Sequence, residues 1–195
     1  MNETDKKHEK EKLRRAVRAR RAAINPATRQ VRGEQARRFC LDLPELAEAR
    51  CVFVYISYGA EMPTHSLIES LLDRGVELAV PVIEKDSEMT PARLTDIGDL
   101  QPGRFGIPAP RDPRPHEGPI DVILAPCVAV TVEGLRLGAG GGFYDRFLAA
   151  HPDAFVAAPA FEAQVTASLP TEPHDRRVDA IVTEQRVIRC EAREA

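Results

Sequence analysis

The chain has 195 residues, 43% of them apolar and 29% charged, which suits one domain with a sizeable core. No apolar run is long enough to span a bilayer, and the charged residues 1–12 are unlike a signal peptide, so a cytoplasmic protein is expected. Cys40, Cys51, Cys127 and Cys190 are scattered and read as reduced, buried thiols. His8, His65, His116, His151 and His174 show no ligand spacing, which argues against a zinc site.

Charge is uneven. Up to Arg38 there are 13 Lys and Arg against 5 Asp and Glu, a balance of +8, whereas the rest holds 14 against 25, or −11. A basic arm on an acidic body would suit nucleic acid, yet residues 10–21 carry no aromatic on which bases could stack. Leu13, Ala16, Val17, Arg20 and Ile24 instead outline an amphipathic helix, over about residues 4–23, that packs on the body. Asn25 then caps a second helix opened by Pro26, the favoured first helical position.

Residues 51–57, rich in β-branched side chains, predict a buried, parallel strand. Thr64 is placed to cap a helix with Leu67, Ile68, Leu71 and Leu72 on one face, and Gly75 stops it before a strand over 77–82. Strand, helix and strand with short joints make a right-handed βαβ unit. Ligands of such sheets bind beyond the carboxyl ends of the strands, where Glu61 falls, although an ordinary exposed acid would also suit that loop. Residues 89–94 suggest a further short strand. Six prolines within residues 101–119 exclude regular helix and interior strand there. Phe105, the aromatic of that loop, suits either anchoring or stacking against a flat ring.

An apolar run over 122–124 and 128–132 leads into the stretch 133–146, which holds five of the twelve glycines, four of them within 138–142. A helical pattern with Phe143, Phe147 and Leu148 follows. Glycines between strand and helix let backbone N–H groups converge on an anion in front of the helix dipole, or merely fill a tight connection. Arg136 adds a bidentate phosphate donor, and Asp145, in the first helical turn, can hold a divalent cation on the same phosphates. No Lys-Ser/Thr follows the glycines, so this is no Walker A loop. Phe143 stands where a dinucleotide fingerprint needs its third glycine. Beyond it, residues 154–160 read as strand, 161–169 as a short helix and 178–182 as the last core strand. The expected fold is α/β: a single domain with a mostly parallel sheet flanked by helices.

The run Arg136-Leu137-Gly138-Ala139-Gly140-Gly141-Gly142-Phe143-Tyr144-Asp145-Arg146 closely resembles the signature of the 5-formyltetrahydrofolate cyclo-ligases, or 5,10-methenyltetrahydrofolate synthetases. The basic first helix, residues 57–64, residues 107–110, His174-Asp175 and Thr183-Glu184 follow in the family's order. The resemblance implies a sheet of the ribose-phosphate isomerase and coenzyme A transferase type. It also implies ATP-dependent cyclisation of 5-formyltetrahydrofolate by a monomer with magnesium as cofactor. By the same resemblance ATP would meet Lys10, Arg14, Arg136, Leu137, Gly138, Ala139, Gly140, Gly141, Gly142, Phe143 and Tyr144. The folate would meet Ile56, Glu61, Phe105, Phe143 and Tyr144, and Asp145 and Asp175 would hold the metal. Arg136 and Asp145 would be the catalytic pair. Ala139 and Gly141 stand where some relatives carry basic residues, and Phe143 where many carry Tyr. A non-catalytic nucleotide- or folate-binding paralogue, or a nucleic-acid-associated protein using the basic arm, are the rival expectations.

Overall fold

The computed structural model describes residues 3–84, 88–172 and 175–190. In chain order the first half has helices α1 (Glu3–Ala22), α2 (Pro26–Leu41) and α3 (Pro44–Glu48), strand β1 (Cys51–Val54), helix α4 (His65–Asp73), and strands β2 (Glu77–Ile83) and β3 (Met89–Leu94). The second half has strands β4 (Leu100–Pro102), β5 (Pro108–Pro110), β6 (Val122–Leu124), β7 (Ala129–Val130) and β8 (Arg136–Leu137), helix α5 (Phe143–Ala150), and strands β9 (Phe155–Pro159), β10 (Ala180–Val182) and β11 (Val187–Arg189).

Seven strands form one sheet in the order β11-β10-β9-β6-β1-β2-β3. The five inner strands are parallel, and β3 and β11 close the edges antiparallel. Strand β1, Cys-Val-Phe-Val, is buried at every position because both faces of the sheet are covered. The pleat sends alternate side chains to opposite cores. Val52, Val54, Leu78, Val80 and Leu124 pack with Leu67, Ile68 and Leu71 of α4. Phe53, Ala79, Ile123 and Val156 pack with Phe147 and Leu148 of α5 on the other face. The chain therefore leaves β1 over one face towards β2 and leaves β6 over the other towards β9. That reversal of winding between β1 and β6 is where an open α/β sheet presents a crevice.

Asn25 caps α2 as expected, accepting from the Thr28 N–H at 2.8 Å. Thr64 precedes α4 without capping it: its hydroxyl donates to the Tyr55 carbonyl and accepts from the Ser57 N–H, both at 2.9 Å, so it ties down the exit of β1. On α1 the docked stripe is Lys10, Leu13, Arg14 and Val17, with Val17 fully buried against Val128, Ala129 and Leu137, while Ala16 and Arg20 are exposed. The expected helix over 161–169 is only a 3-10 turn, Glu162–Gln164. Buried Gln164 donates to the carbonyls of Cys127 at 2.8 Å and Val128 at 3.1 Å, and that tertiary bonding overrides helix propensity. The proline-rich segment forms the β4–β5 ribbon outside the main sheet, where missing N–H groups leave no interior ladder broken. Residues 128–132 likewise stand apart, with β7 pairing β8. Among the described residues no helix is long and apolar enough to cross a membrane.

Candidate functional site

A cavity of about 350 Å³ opens beyond the carboxyl ends of β1, β2 and β6, at the reversal of winding. Tyr55, Ile56, Tyr58 and Glu61 follow β1, and Pro126 and Cys127 follow β6. The glycine loop and the first turn of α5 form the facing wall, Lys7, Lys10 and Arg14 of α1 lie alongside, and Glu172 and Asp175 complete it.

In the loop Gly140 and Gly142 adopt φ of +115° and +65°, which side chains resist. A Cβ on Gly141 would stand 2.6 Å from the Phe143 ring. Gly142 immediately precedes α5, so the first N–H groups of that helix, which no helical carbonyl can take, lie at the cavity wall. The loop is held by its oxygens: Arg14 Nε donates to Gly138 at 3.0 Å, Arg18 to Ala139 at 3.4 Å and Arg146 to Gly141 at 3.3 Å. Engaging the carbonyls in this way suits an anion at the amides.

Arg136 is carried in from β8 with its side chain 2% exposed, Nη2 lying 2.6 Å from Asp145 Oδ1 and the guanidinium 5.7 Å from the Tyr144 ring centre. Its Nε and the Tyr144 hydroxyl are buried without a partner among the described residues. Buried polar atoms are seldom left so, and both belong to residues on the cavity wall, where a ligand can satisfy them. Glu61 accepts from the Tyr58 N–H at 3.2 Å. Burial raises its pKa, opposed by that hydrogen bond and by the charge of Arg21. Lys10 Nζ lies 2.5 Å from Glu172 Oε2 and 2.9 Å from Asp175 Oδ2. Burial draws its pKa down, but bonding to the two carboxylates outweighs it and the net shift is upward.

These residues join the exit of β1 to the glycine loop around one cavity, and most of the chain matches a known pattern. Residues 6–184 fit the model of the 5-formyltetrahydrofolate cyclo-ligase family. The chain belongs to that family. It is 34% identical over 188 residues to a 5-formyltetrahydrofolate cyclo-ligase of Mycolicibacterium smegmatis, covering 92% of this chain and 95% of that one. The Escherichia coli cyclo-ligase is 34% identical over 179 residues, 88% of this chain and 98% of its own. In fold this chain is similar to the NMR structure of Aquifex aeolicus 5,10-methenyltetrahydrofolate synthetase, with a TM-score of 0.82 and 30% identity, covering 95% of each chain.

Of the residues that resemblance to the cyclo-ligases singles out, Lys10, Arg14, Ile56, Glu61, residues 136–145 and Asp175 all line the one cavity. Phe105 does not: it is 64% exposed at φ +57°, its ring against Arg104, and Ile107 lines the cavity instead. His174 lies outside the described residues. Thr183 and Glu184 serve structure, Glu184 accepting from the Glu162 N–H at 2.8 Å and pairing with Arg32 at 3.2 Å. Sequence reasoning passed over Glu172, whose one signal is its spacing of three from Asp175, and Arg18, which lies one turn beyond Arg14. The thiols of Cys40, Cys51 and Cys127 are pushed by burial up to about 12, so none is a ready nucleophile.

Asp145 and Asp175 present hard oxygen donors to the same cavity, but among the described residues no group of three or more ligating side chains gathers into a cage. Two carboxylates with room for phosphate oxygens and water fit magnesium.

Proposed function

We infer that this chain catalyses the ATP-dependent ring closure of 5-formyltetrahydrofolate to 5,10-methenyltetrahydrofolate, releasing ADP and phosphate. What carries the reading is one cavity in which the glycine loop and the Arg136–Asp145 pair face Ile56 and Glu61. The formyl oxygen is a poor leaving group. Its attack on the γ-phosphorus forms an O–P bond and expels ADP, leaving an iminium-like carbon. Nitrogen 10 then attacks that carbon, loses its proton, and the C–O bond breaks with phosphate departing. No side-chain nucleophile is needed, so the protein's work is alignment and charge neutralisation.

The loop and α5 N–H groups hold the phosphates, and Arg136, kept rigid by Asp145, has its unmatched Nε to offer the transferring group. Arg14 and Lys10 add positive charge from α1. Ile56 and the rings of Phe143 and Tyr144 offer apolar surface to the pterin, and Glu61 and the Tyr144 hydroxyl offer polar contacts to its edge. Magnesium, held by Asp145 and Asp175, would neutralise the phosphate oxygens when bound. We take the working unit to be a monomer, since a single chain already brings α1, the glycine loop and the exit of β1 together around the cavity. The buried, raised thiols suit a reducing cytoplasm.

The docked helix argues against a nucleic-acid arm, since Lys10 and Arg14 turn inward to the cavity. The test is the absorbance of methenyltetrahydrofolate formed from 5-formyltetrahydrofolate with ATP and magnesium. Product that needs all three supports the reading. ATP binding without product would make the chain a non-catalytic binder.

A further inference from the structure

We propose that Glu172 is a positioning residue for phosphoryl transfer, holding the Lys10 ammonium at the phosphate end of the cavity; the proposal rests on the ATP-dependent reading above. Lys10 is 7% exposed, yet it reaches the cavity on a flexible four-carbon stem from α1, so something must fix its head. Two carboxylates do so here, Glu172 at 2.5 Å and Asp175 at 2.9 Å. They are locked to each other, because the Glu172 backbone N–H donates to Asp175 Oδ2 at 2.8 Å. Lys6 adds a second tie between α1 and this segment, Nζ to the Thr171 carbonyl at 3.2 Å.

An ammonium has three donors, and the two carboxylates take two of them. Among the described residues the third meets no acceptor, which leaves it for one in the cavity. The two carboxylates are not equivalent, however. Asp175 is one of the two acids placed to engage magnesium, and a carboxylate drawn to a divalent cation gives up part of its hold on an ammonium. Glu172 then remains to keep Lys10 in place while nucleotide and metal are bound.

Acting through Lys10 gives Glu172 a signature that a merely structural acid lacks. Titration calorimetry of a non-hydrolysable ATP analogue with magnesium is run on the full chain and on Glu172→Gln, Lys10→Gln and the double variant. Glu172→Gln is expected to weaken the analogue about five- to tenfold, the loss of one charge-assisted contact on the lysine. Because both changes remove one interaction, the double variant is expected to bind no more weakly than Lys10→Gln alone. Glu172→Asp, which keeps the charge, is expected to restore part of the affinity, and in turnover KM for ATP rises while KM for the folate stays. Additive losses in the double variant, or unchanged affinity in Glu172→Gln, would overturn the proposal. Failure of the unaltered chain to bind the analogue at all would instead overturn the ATP-dependent reading.

Discussion

At the amino ends of the parallel strands Asp121 and Glu77 are engaged with other parts of the fold. Asp121 accepts from the backbone N–H groups of Arg50 and Cys51 at 2.8 and 2.9 Å, pinning the start of β1 to the start of β6. Glu77, at the start of β2, meets Arg93 at 2.8 Å and His116 at 3.3 Å. At the carboxyl ends the same sheet carries orphaned buried atoms on the cavity wall, Arg136 Nε and the Tyr144 hydroxyl, and a carboxyl raised by burial. The hydrophobic core is common to both ends, so the difference reports purpose. One end spends its polar groups on holding strands in register. The other leaves polar groups that the described fold does not match, at a cost in stability that the rest of the fold must offset.

The sharpest way to break that contrast is Asp145→Asn. It removes the charge facing Arg136 and one of the two acids assigned to magnesium, so kcat should fall at least about a hundredfold, the scale of losing a transition-state charge partner. The amide still accepts a hydrogen bond, so the cost in stability should be about 2 kcal/mol, less than for a buried ion pair broken outright. Turnover measured across a magnesium series, beside thermal melts, checks both. A kcat within tenfold of the unaltered chain at limiting magnesium would remove Asp145 from the metal site.

Asp121→Ala probes the other end. It deletes two backbone contacts made by a carboxylate, each of the class worth about 1.5–3 kcal/mol, and solvent replaces part of that loss. A fall in stability of about 3 kcal/mol is expected by urea denaturation, with KM for ATP unmoved. A tenfold rise in that KM would mean the two ends are not independent.

Much of this arrangement was legible because it rests on local pattern. The run 51–57 and the Leu67, Ile68, Leu71 stripe predict their elements, since a strand buried on both faces and an amphipathic helix each leave a periodic trace. The glycine loop was legible through its neighbours Arg136 and Asp145. What sequence could not disclose depends on distant partners. Gln164 reaches the carbonyls of Cys127 and Val128 and cancels a helix, and the Thr64 hydroxyl serves β1 rather than α4. The inward turn of Lys10 and Arg14 was legible through the resemblance, whereas the apolar pattern alone put Ala16 and Arg20 on the docked face. Both are exposed, because Glu172, Asp175 and the Gly138 carbonyl draw in Lys10 and Arg14. Phe105 carries no signal that it would turn outward beside Gly106, which is itself at φ +76°. The short edge strand β11, three residues long, offers too little alternation to be read.

The smallest expected effect tests the cost of the ligand end directly. Burial raises the Glu61 pKa in the folded chain above its ordinary value. A carboxyl whose folded pKa is raised favours the fold while it is protonated, below its unfolded pKa of about 4.3, and that contribution is lost as pH rises through the folded value. The ionised form of Glu61 is therefore disfavoured by its poorly hydrated wall. Glu61→Gln removes the charge and keeps the shape, so the ligand-free variant should melt about 1–3 °C higher at pH 7, a change of well under 2 kcal/mol for a chain this size. Below about pH 4 both chains carry a neutral group there and the gap should close. The same substitution should raise KM for 5-formyltetrahydrofolate several-fold and leave affinity for ATP alone, because Glu61 lies on the β1 side of the cavity, across from the glycine loop. Equal melting temperatures at both pH values would show that Glu61 is well hydrated in the free protein. A selective loss of nucleotide affinity would move it to the other ligand.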